Sequence, residues 1–376
     1  MKRRTAIRQS LVSALTVPLF PALLKGEDSA HIVSKPGDHR NLRLCCNENP
    51  DGPFLSARRA IEHAINSGNR YPRETLQKLK EAIAMEHGLT ADHVLLGSGS
   101  AQLLQLVGLK VALDKKAIVS ADYTFRWLMR YAENLGSTWI KAPLDENYKF
   151  DLDAIQDAVQ ANKPQVGLIY ICNPNNPTGT YIPQSDVHTF CKQQRSDQIL
   201  FLDEAYIDYV PESTPSASLL DYLPNLIISR TFSKLYGLAG LRIGYLLGNP
   251  ALLQSLEQLE TGFGMNVSNT SAAAALASLR DADSKKKHLH QNEHSRIWLT
   301  KQLQRWKLPH TEASANFVLC EVTPMAQALT EELKTQQITL SPHTREDSKS
   351  FLRISIGTRD DLEEFVDRMD KFFTKT

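Results

Sequence analysis

Strands and helices alternate along the middle of this chain, and this pattern constrains the fold more than any other feature. Between about residues 71 and 248, short apolar runs that are typical of buried strands are separated by stretches suited to helices. Three of these runs, at 165–172, 198–203 and 226–228, pass directly into polar loops. Such chains fold into a mostly parallel sheet covered by helices on both faces, and ligands bind beyond the carboxyl ends of the strands. The sequence therefore predicts an α/β domain with a ligand site at that edge.

The third run leads into the residues with the most specific chemistry. Thr231, Ser233 and Lys234 follow it, and Arg242 comes eight residues after the lysine. A lysine amine can bond covalently to an aldehyde, while hydroxyls and a guanidinium can hold a phosphate dianion. Pyridoxal phosphate (PLP) is the cofactor that needs both kinds of group at once. We therefore predict a PLP site in which Lys234 is the catalytic residue.

The other two runs end in residues that suit the ring of the same cofactor. Asp203 ends its run, Tyr206 lies three residues further on, and Asn176 lies in the loop at 173–179. A carboxylate that faces the pyridine nitrogen keeps the ring protonated, so that the ring can accept electrons from a substrate carbanion. A phenol and an amide can form hydrogen bonds with the ring oxygen. These three side chains are therefore predicted to bind the cofactor ring.

A turn that contains Gly97 and Gly99 adds a second phosphate contact. It separates a short strand from an apolar run suited to a helix, and free backbone N–H groups at a helix start bind phosphate. Taken alone, the turn also suits a nicotinamide cofactor, although the glycine fingerprint of such sites is incomplete. Beside the lysine segment the PLP-phosphate interpretation is favoured, with the backbone of Ser100 and Ala101 as donors.

On these residues the chain resembles the fold-type I PLP enzymes, and within them the histidinol-phosphate aminotransferases. The resemblance runs from about residue 41 to the C-terminus. It implies the PLP-transferase fold, in which a large domain with a mostly parallel sheet is joined to a smaller C-terminal α/β domain. Its motifs are Asn47-Glu-Asn-Pro50, Asn69-Arg-Tyr-Pro72, Asn173-Pro-Asn-Asn-Pro-Thr-Gly179, Asp203-Glu-Ala-Tyr206, the lysine segment and Leu352-Arg-Ile-Ser-Ile-Gly-Thr358.

The resemblance also implies roles for individual residues. Phe125 would stack on the cofactor ring, Arg353 would bind the substrate α-carboxylate, and Tyr71 would reach into the site of the partner subunit in a homodimer. The implied cofactor-binding residues are Ser100, Ala101, Phe125, Asn176, Asp203, Tyr206, Thr231, Ser233, Lys234, Arg242 and Tyr71. The implied substrate-binding residues are Arg353, Asn47 and Tyr71.

The implied reaction moves an amino group between an amino acid, or a histidinol-phosphate-like amine, and 2-oxoglutarate, in amino-acid and especially histidine biosynthesis. The family carries an arginine for the substrate phosphate shortly before the Arg353 position. This chain has Leu340 and Ser341 there, and Arg345 is the nearest substitute. A broad or aromatic amino-acid aminotransferase is therefore an alternative. A PLP lyase that resembles the threonine-phosphate decarboxylases is another, because motifs do not report which substrate bond stands perpendicular to the ring.

The chain divides into four segments on sequence. Residues 1–30 form a tail, residues 31–68 an arm and a first helix, residues 69–268 the large cofactor-binding domain, and residues 269–376 the small domain. A chain of 376 residues is long enough for a large and a small domain.

The tail is basic at its start and then mostly apolar, and Pro18 and Pro21 interrupt the apolar part. It is too short and too broken to span a membrane, so no stable membrane association is expected. Arg3 and Arg4 give it the character of a twin-arginine export signal. We expect export to the periplasm, and the alternative is a cytoplasmic enzyme with a basic extension.

Composition argues against several other kinds of ligand. The chain has 43 basic and 42 acidic residues, a balance that gives no reason to expect a nucleic-acid partner. Its five cysteines include no CxxC pair, so neither a zinc site nor a disulfide framework is indicated. His290 and His294 share a helical face but lack a further ligand, and we expect no metal.

Overall fold

The computed structural model of the chain describes residues 41–211, 215–260 and 266–375, so the tail at 1–30 lies outside the described residues. The strands are β1 (Leu42–Arg43), β2 (Val94–Gly97), β3 (Ala117–Ala121), β4 (Trp139–Ala142), β5 (Val166–Cys172), β6 (Ile199–Asp203), β7 (Leu226–Thr231), β8 (Gly244–Gly248), β9 (Phe317–Glu321), β10 (Ile338–Thr339), β11 (Ser341–Thr344) and β12 (Ser350–Ser355). The helices are α1 (Leu55–Ile65), α2 (Arg73–Glu86), α3 (Ser100–Leu113), α4 (Trp127–Asn134), α5 (Leu152–Ala161), α6 (Gln184–Lys192), α7 (Pro250–Glu257), α8 (Asn269–Leu279), α9 (Ala282–Arg305), α10 (Ala326–Thr335) and α11 (Arg359–Lys375).

A seven-stranded sheet in the order β2-β8-β7-β6-β5-β3-β4 forms the centre of the larger part. Of its strands, β8 is antiparallel to both neighbours, and the pairs from β7 to β4 are parallel. Strands β5, β6 and β7 are buried along almost their whole length, as expected when helices cover both faces of a parallel sheet. The predicted α/β fold with a mostly parallel sheet is therefore confirmed.

The register of the three central strands brings their carboxyl ends together. Cys172 at the end of β5 pairs with Asp203 at the end of β6, and Asp203 pairs with Ser229 near the end of β7. The polar loops that follow these strands therefore meet at one edge, as predicted.

A second core lies in the C-terminal part. The antiparallel sheet β11-β12-β9 packs with α9, α10 and α11 around residues such as Leu299, Val318 and Phe365. Leu42 and Leu44 of the arm belong to this second core, because β1 pairs in parallel with β10.

The arm connects the two cores. Phe54, ten residues after Leu44, is 2% exposed in the core of the large sheet, and α1 packs against α8 in the same core. The segment at 45–53 between them passes beside the ends of β5 to β7, as the contacts below show. The described residues from 42 onward form one compact unit, and the predicted domain boundaries within it stay predictions.

None of the helices in the described ranges is both long and apolar enough to cross a membrane. The same ranges hold no cluster of three or more His, Cys, Asp and Glu side chains that could bind a metal ion.

Candidate active site

Lys234 lies in the turn after β7, and its amine is held by the arm. Nζ of Lys234 donates a hydrogen bond of 3.3 Å to the carbonyl oxygen of Cys46 and lies 5.6 Å from the centre of the Tyr206 ring. Burial, reinforced by the positive charge of Arg353, lowers the pKa of Lys234 to about 8. A neutral, nucleophilic amine is therefore available close to neutral pH.

Asp203 is a buried carboxyl at the end of β6, with 2% of its surface exposed. The hydroxyl of Tyr170 donates to its Oδ2 at 2.8 Å, and the backbone N–H of Ala205 donates to its Oδ1 at 3.2 Å. Burial raises the pKa of Asp203 to about 6, although both hydrogen bonds oppose that change. A positively charged group beside this carboxyl would favour its ionised form.

Sequence reasoning missed Tyr170, which contacts Asp203 from the neighbouring strand. One signal was available, because a phenol inside the otherwise apolar run of β5 needs a hydrogen-bond partner when it is buried.

Tyr206, Asn176 and Asn47 form one buried group. The hydroxyl of Tyr206 accepts hydrogen bonds from Nδ2 of Asn47 at 3.0 Å and from Nδ2 of Asn176 at 3.4 Å. Asn47 has a positive φ of 54° and is fixed by Ser355, whose hydroxyl accepts from its N–H at 2.8 Å and donates to its Oδ1 at 3.0 Å. The structure thus places the first motif of the arm directly beside the two predicted ring contacts.

Arg353 extends from β12 toward the same group. It donates to Oδ1 of Asn176 at 2.6 Å, to the carbonyl oxygen of Cys45 at 2.8 Å, and to the hydroxyl of Ser341 at 3.3 Å. Its Nε is buried and has no hydrogen-bond partner among the described residues. A half-buried guanidinium whose hydrogen-bond partners are neutral can accept a carboxylate ligand.

The predicted phosphate contacts converge at the start of α3. Gly99 precedes this helix with a φ of 77°, and a Cβ added to it would clash with the guanidinium of Arg242. Strand β8 also lies close to the start of α3, because a Cβ added to Gly244 would be only 2.7 Å from the backbone nitrogen of Ser100. The arginine therefore lies against the turn whose helix presents free N–H groups at Ser100 and Ala101.

Thr231 and Ser233 complete this region. Both are buried, at 5% and 8% exposure, and the N–H of Ser233 donates to the hydroxyl oxygen of Thr231 at 3.1 Å. Two hydroxyls, a guanidinium and a helix start are the donor set that a phosphate dianion requires. The residues present therefore fit PLP, with the lysine and the buried carboxyl nearby.

Two further predicted residues, Phe125 and Tyr71, are described by their burial alone. Phe125 is partly buried and packs against the core of the large sheet. Tyr71 precedes α2 and is 79% exposed. Their predicted roles stay predictions.

A family model described as aminotransferase class I and II matches residues 40–369. The chain belongs to this family. It is 32% identical to histidinol-phosphate aminotransferase 2 of Nitrosospira multiformis, over 86% of this chain and 82% of that protein. It is 35% identical to histidinol-phosphate aminotransferase 2 of Ralstonia nicotianae, over 85% of each chain. The enzyme is thus a PLP-dependent aminotransferase of the histidinol-phosphate aminotransferase type, as the sequence motifs predicted.

Solved structures agree with this assignment. The crystal structure of histidinol-phosphate aminotransferase from Sinorhizobium meliloti in complex with pyridoxal-5'-phosphate has a TM-score of 0.83 and 26% identity, and the match covers 89% of this chain and 90% of that one. The fold is shared more widely, because the L-threonine-O-3-phosphate decarboxylase of Porphyromonas gingivalis has a TM-score of 0.75 at 18% identity.

The structure also locates the departure from the family motif beside Arg353. Ser341 is the direct cross-strand neighbour of Arg353, whereas Leu340 is 7% exposed in the C-terminal core. His343 follows on the same face of β11, and its Nε2 lies 3.2 Å from the hydroxyl of Ser341. Burial, together with the positive charge of Arg353, lowers the pKa of His343 to about 3, so the imidazole is neutral. Position 341 itself therefore supplies no cation beside Arg353, although the positive charge of Arg126 also acts on His343.

Arg345, the nearest substitute arginine, lies among aromatic rings. Its guanidinium is 5.3 Å from the ring centre of Tyr123 and 5.5 Å from that of Tyr148, and it lies 3.7 Å from a carboxylate oxygen of Asp122. This arginine is therefore already paired with carboxylates, whereas Arg353, which also lies over an aromatic ring (5.4 Å from the ring centre of Phe317), has neutral hydrogen-bond partners.

Proposed function

We propose that this enzyme transfers an amino group between an amino acid, or a histidinol-phosphate-like amine, and 2-oxoglutarate. The observation that carries the proposal is the half-buried guanidinium of Arg353, whose Nε is buried and has no partner among the described residues. Every α-amino acid and every 2-oxo acid has a carboxylate next to the reacting carbon. A carboxylate bound at Arg353 would place that carbon on the side of the site where Lys234 lies, since both cations are bonded to the carbonyl groups of Cys45 and Cys46.

Different residues of the site would bind different parts of the cofactor. Thr231, Ser233, Arg242 and the start of α3 would hold the phosphate of PLP, Lys234 its aldehyde, Asp203 its ring nitrogen, and Asn176 with Tyr206 its ring oxygen. Bound PLP supplies an electron-accepting ring that stabilises negative charge at the α-carbon of the substrate. Lys234, with its lowered pKa, can accept the α-proton as a general base and return it. Arg353 orients the substrate by its carboxylate.

A panel of amino donors tests the proposal directly. The purified PLP-loaded enzyme is incubated with 2-oxoglutarate and either histidinol phosphate, an aromatic amino acid or an aliphatic amino acid, and glutamate formation is measured. We expect glutamate with at least one donor, and none with Lys234→Ala. Absence of glutamate with every donor would overturn the proposed acceptor, and carbon dioxide release without an oxo acid would indicate a lyase.

An aromatic amino-acid donor is a second candidate, favoured by the surroundings of Arg353. Ser341 and the neutral His343 supply no charge for a substrate phosphate, and the ring of Tyr123 packs edge-on to His343 at 6.2 Å. Such rings can pack against the uncharged ring of an aromatic substrate. In the donor panel, a higher kcat/KM for phenylalanine than for histidinol phosphate would select this candidate.

We further propose that the enzyme is a homodimer in which Tyr71 contacts the site of the partner subunit. The support is its exposure of 79%, which is high for an aromatic side chain beside a family motif. Sedimentation measures the mass of the assembly, and Tyr71→Ala should lower PLP affinity without changing that mass. A monomer, or unchanged affinity in this variant, would end the proposal.

We also propose that the enzyme is exported through its twin-arginine segment. The support is sequence alone, because the tail lies outside the described residues. Cell fractionation should find the full chain in the periplasm and the Arg3→Lys/Arg4→Lys variant in the cytoplasm. A cytoplasmic location for both chains would refute export.

A further inference from the structure

Two adjacent cysteines face each other beside the active site. Successive side chains of a strand point in opposite directions, but the chain bends at Cys45 and Cys46 immediately after β1. The bend brings both sulfur atoms to the same side, with Sγ of Cys45 3.1 Å from Sγ of Cys46. The three remaining cysteines, Cys172, Cys191 and Cys320, are buried elsewhere and are free thiols.

The backbone of this pair holds the two cations of the site. The carbonyl oxygen of Cys46 accepts from Nζ of Lys234 at 3.3 Å, and that of Cys45 accepts from Arg353 at 2.8 Å. The Cys45 carbonyl belongs to the peptide bond that joins the two cysteines. A change in that peptide group therefore acts directly on the arginine that is proposed to bind substrate.

The two thiols differ in accessibility and in acidity. Cys45 is 4% exposed, whereas Cys46 is partly exposed. The hydrogen bond with Cys45, helped by the guanidinium of Arg43, lowers the pKa of Cys46 to about 6, and the same hydrogen bond raises the pKa of Cys45. The pair thus combines an accessible thiolate with a protonated thiol in contact with it, which is the arrangement of a nucleophilic and a resolving cysteine.

We propose that Cys45 and Cys46 form a redox-modification site, in which a hydroperoxide oxidises the pair to a vicinal disulfide that weakens substrate binding. The Cys46 thiolate attacks one oxygen of the hydroperoxide and the O–O bond breaks. The leaving group takes up a proton and departs as water when the oxidant is hydrogen peroxide, or as an alcohol when it is an alkyl hydroperoxide. Sγ of Cys45 then attacks the resulting sulfenic sulfur and loses its proton, the S–O bond breaks, and the sulfenic oxygen leaves as water. Two thiols are oxidised by two electrons and one hydroperoxide is reduced.

The consequence for the site follows from the size of the ring. Adjacent Cα atoms are about 3.8 Å apart, which is less than the roughly 4.4–6.8 Å found across ordinary disulfides. An eight-membered ring can therefore close only if the intervening peptide group twists, and this twist moves the Cys45 carbonyl away from Arg353. A disulfide under such constraint is easily reduced, so the modification is reversible by thiols. Only this effect on substrate binding rests on the function proposed above.

Mass spectrometry tests the modification without reference to activity. The PLP-loaded enzyme is treated with hydrogen peroxide, its remaining thiols are blocked, and it is digested with trypsin. Peptide 44–58 contains both cysteines of the pair and none of the other three. We expect this peptide to lose two hydrogen atoms, and to regain them with dithiothreitol. A peptide that stays reduced, carries only sulfinic acid, or is joined to another cysteine would overturn the proposal.

Steady-state kinetics tests the consequence. In the treated enzyme the KM for the 2-oxo acid should rise roughly tenfold, the effect of losing one hydrogen bond to a charged group, and dithiothreitol should reverse the change. Each variant is compared with its own untreated form. Cys46→Ser should show neither the mass loss nor the KM change, and Cys191→Ser, altered in the core at α6, should respond like the wild type. If the peptide loses two hydrogen atoms but the KM does not change, the modification is confirmed and its proposed effect on substrate binding through Arg353 is wrong. If peroxide still changes the KM of Cys46→Ser, the assignment to this pair of cysteines is wrong.

Discussion

The ionised form of Asp203 should reduce the stability of the cofactor-free enzyme, and the substitution Asp203→Asn measures this cost. The carboxyl is 2% exposed, and burial raises its pKa from the usual 3.8 to about 6. Each pKa unit corresponds to about 1.4 kcal/mol. The raised pKa of Asp203 therefore corresponds to a loss of about 3 kcal/mol from the free energy of unfolding when the group is ionised.

The sign of the pH dependence follows from proton binding. Between pH 4 and 6 the folded protein keeps the proton on Asp203 while the unfolded chain releases it, so the folded state binds more protons. The stability contributed by the neutral group is fully present below the unfolded pKa and is lost as pH rises through the folded pKa. The amide of the Asp203→Asn variant carries no such charge. The difference in unfolding free energy between variant and wild type should therefore shift by about 3 kcal/mol in favour of the variant across this window.

Urea unfolding of the cofactor-free proteins at several pH values is the assay. Asparagine provides one acceptor oxygen where the carboxylate has two, so the bond from Tyr170 or that from Ala205 is lost in the variant, at a cost of about 1 kcal/mol. The amide does not titrate, so this cost lowers the stability of the variant by a constant amount, and the effect of both bonds on the carboxyl is already contained in the pKa of Asp203. Asp157→Asn, at an exposed position of α5, is the matched control. Parallel pH profiles for Asp203→Asn and wild type would refute the reasoning, because the carboxyl would then carry no burial penalty.

Three further predictions concern the cations of the site. The cofactor-free protein should capture PLP, as measured by absorbance, increasingly with pH, with a midpoint near pH 8, and Lys234→Ala should not capture it. A midpoint near the usual lysine pKa of 10.5 would contradict the lowered pKa. Arg353→Met should move that pH midpoint upward, because burial and the positive charge of Arg353 together lower the pKa of Lys234. The same variant should raise the KM for 2-oxoglutarate by about tenfold or more. An unchanged KM would exclude Arg353 from carboxylate binding. Ser341→Arg should raise kcat/KM for histidinol phosphate relative to phenylalanine by roughly tenfold, and an unchanged ratio would mean that position 341 does not face the substrate.

The sequence predicted those parts of the site that follow from strand ends. A strand with one face in water alternates apolar and polar residues, but the apolar runs before Asp203 and Lys234 do not alternate. They are therefore expected to be strands that are buried on both faces of a sheet covered by helices. Parallel strands expose their carboxyl ends at one edge, and this alone brings Asp203, Asn176 and Thr231 near each other. The observed register of β5, β6 and β7 agrees with this reasoning.

Contacts that depend on exact register could not be predicted in the same way. A shift of one residue moves a strand side chain to the opposite face, and the sequence therefore left open whether Leu340 or Ser341 replaces the family arginine. The pairing of β11 with β12 shows that Ser341 is the one of the two that lies opposite Arg353. The hydrogen bond from Tyr170 to Asp203 required knowing which face of β5 meets the end of β6, which the apolar run does not show.

The hydrogen-bond acceptors of Lys234 and Arg353 explain how two cations can lie in one site and both still be able to bind a ligand. Each is bonded to a backbone carbonyl of the arm, from Cys46 and Cys45, and a carbonyl satisfies a donor without cancelling its charge. A carboxylate partner would compete with the substrate carboxylate and would raise the pKa of the lysine, since opposite charge favours the charged form. The uncancelled charge of Arg353 instead lowers the pKa of Lys234. A substrate carboxylate that binds Arg353 would remove part of that effect, so we expect the lysine to become a stronger base when substrate is present.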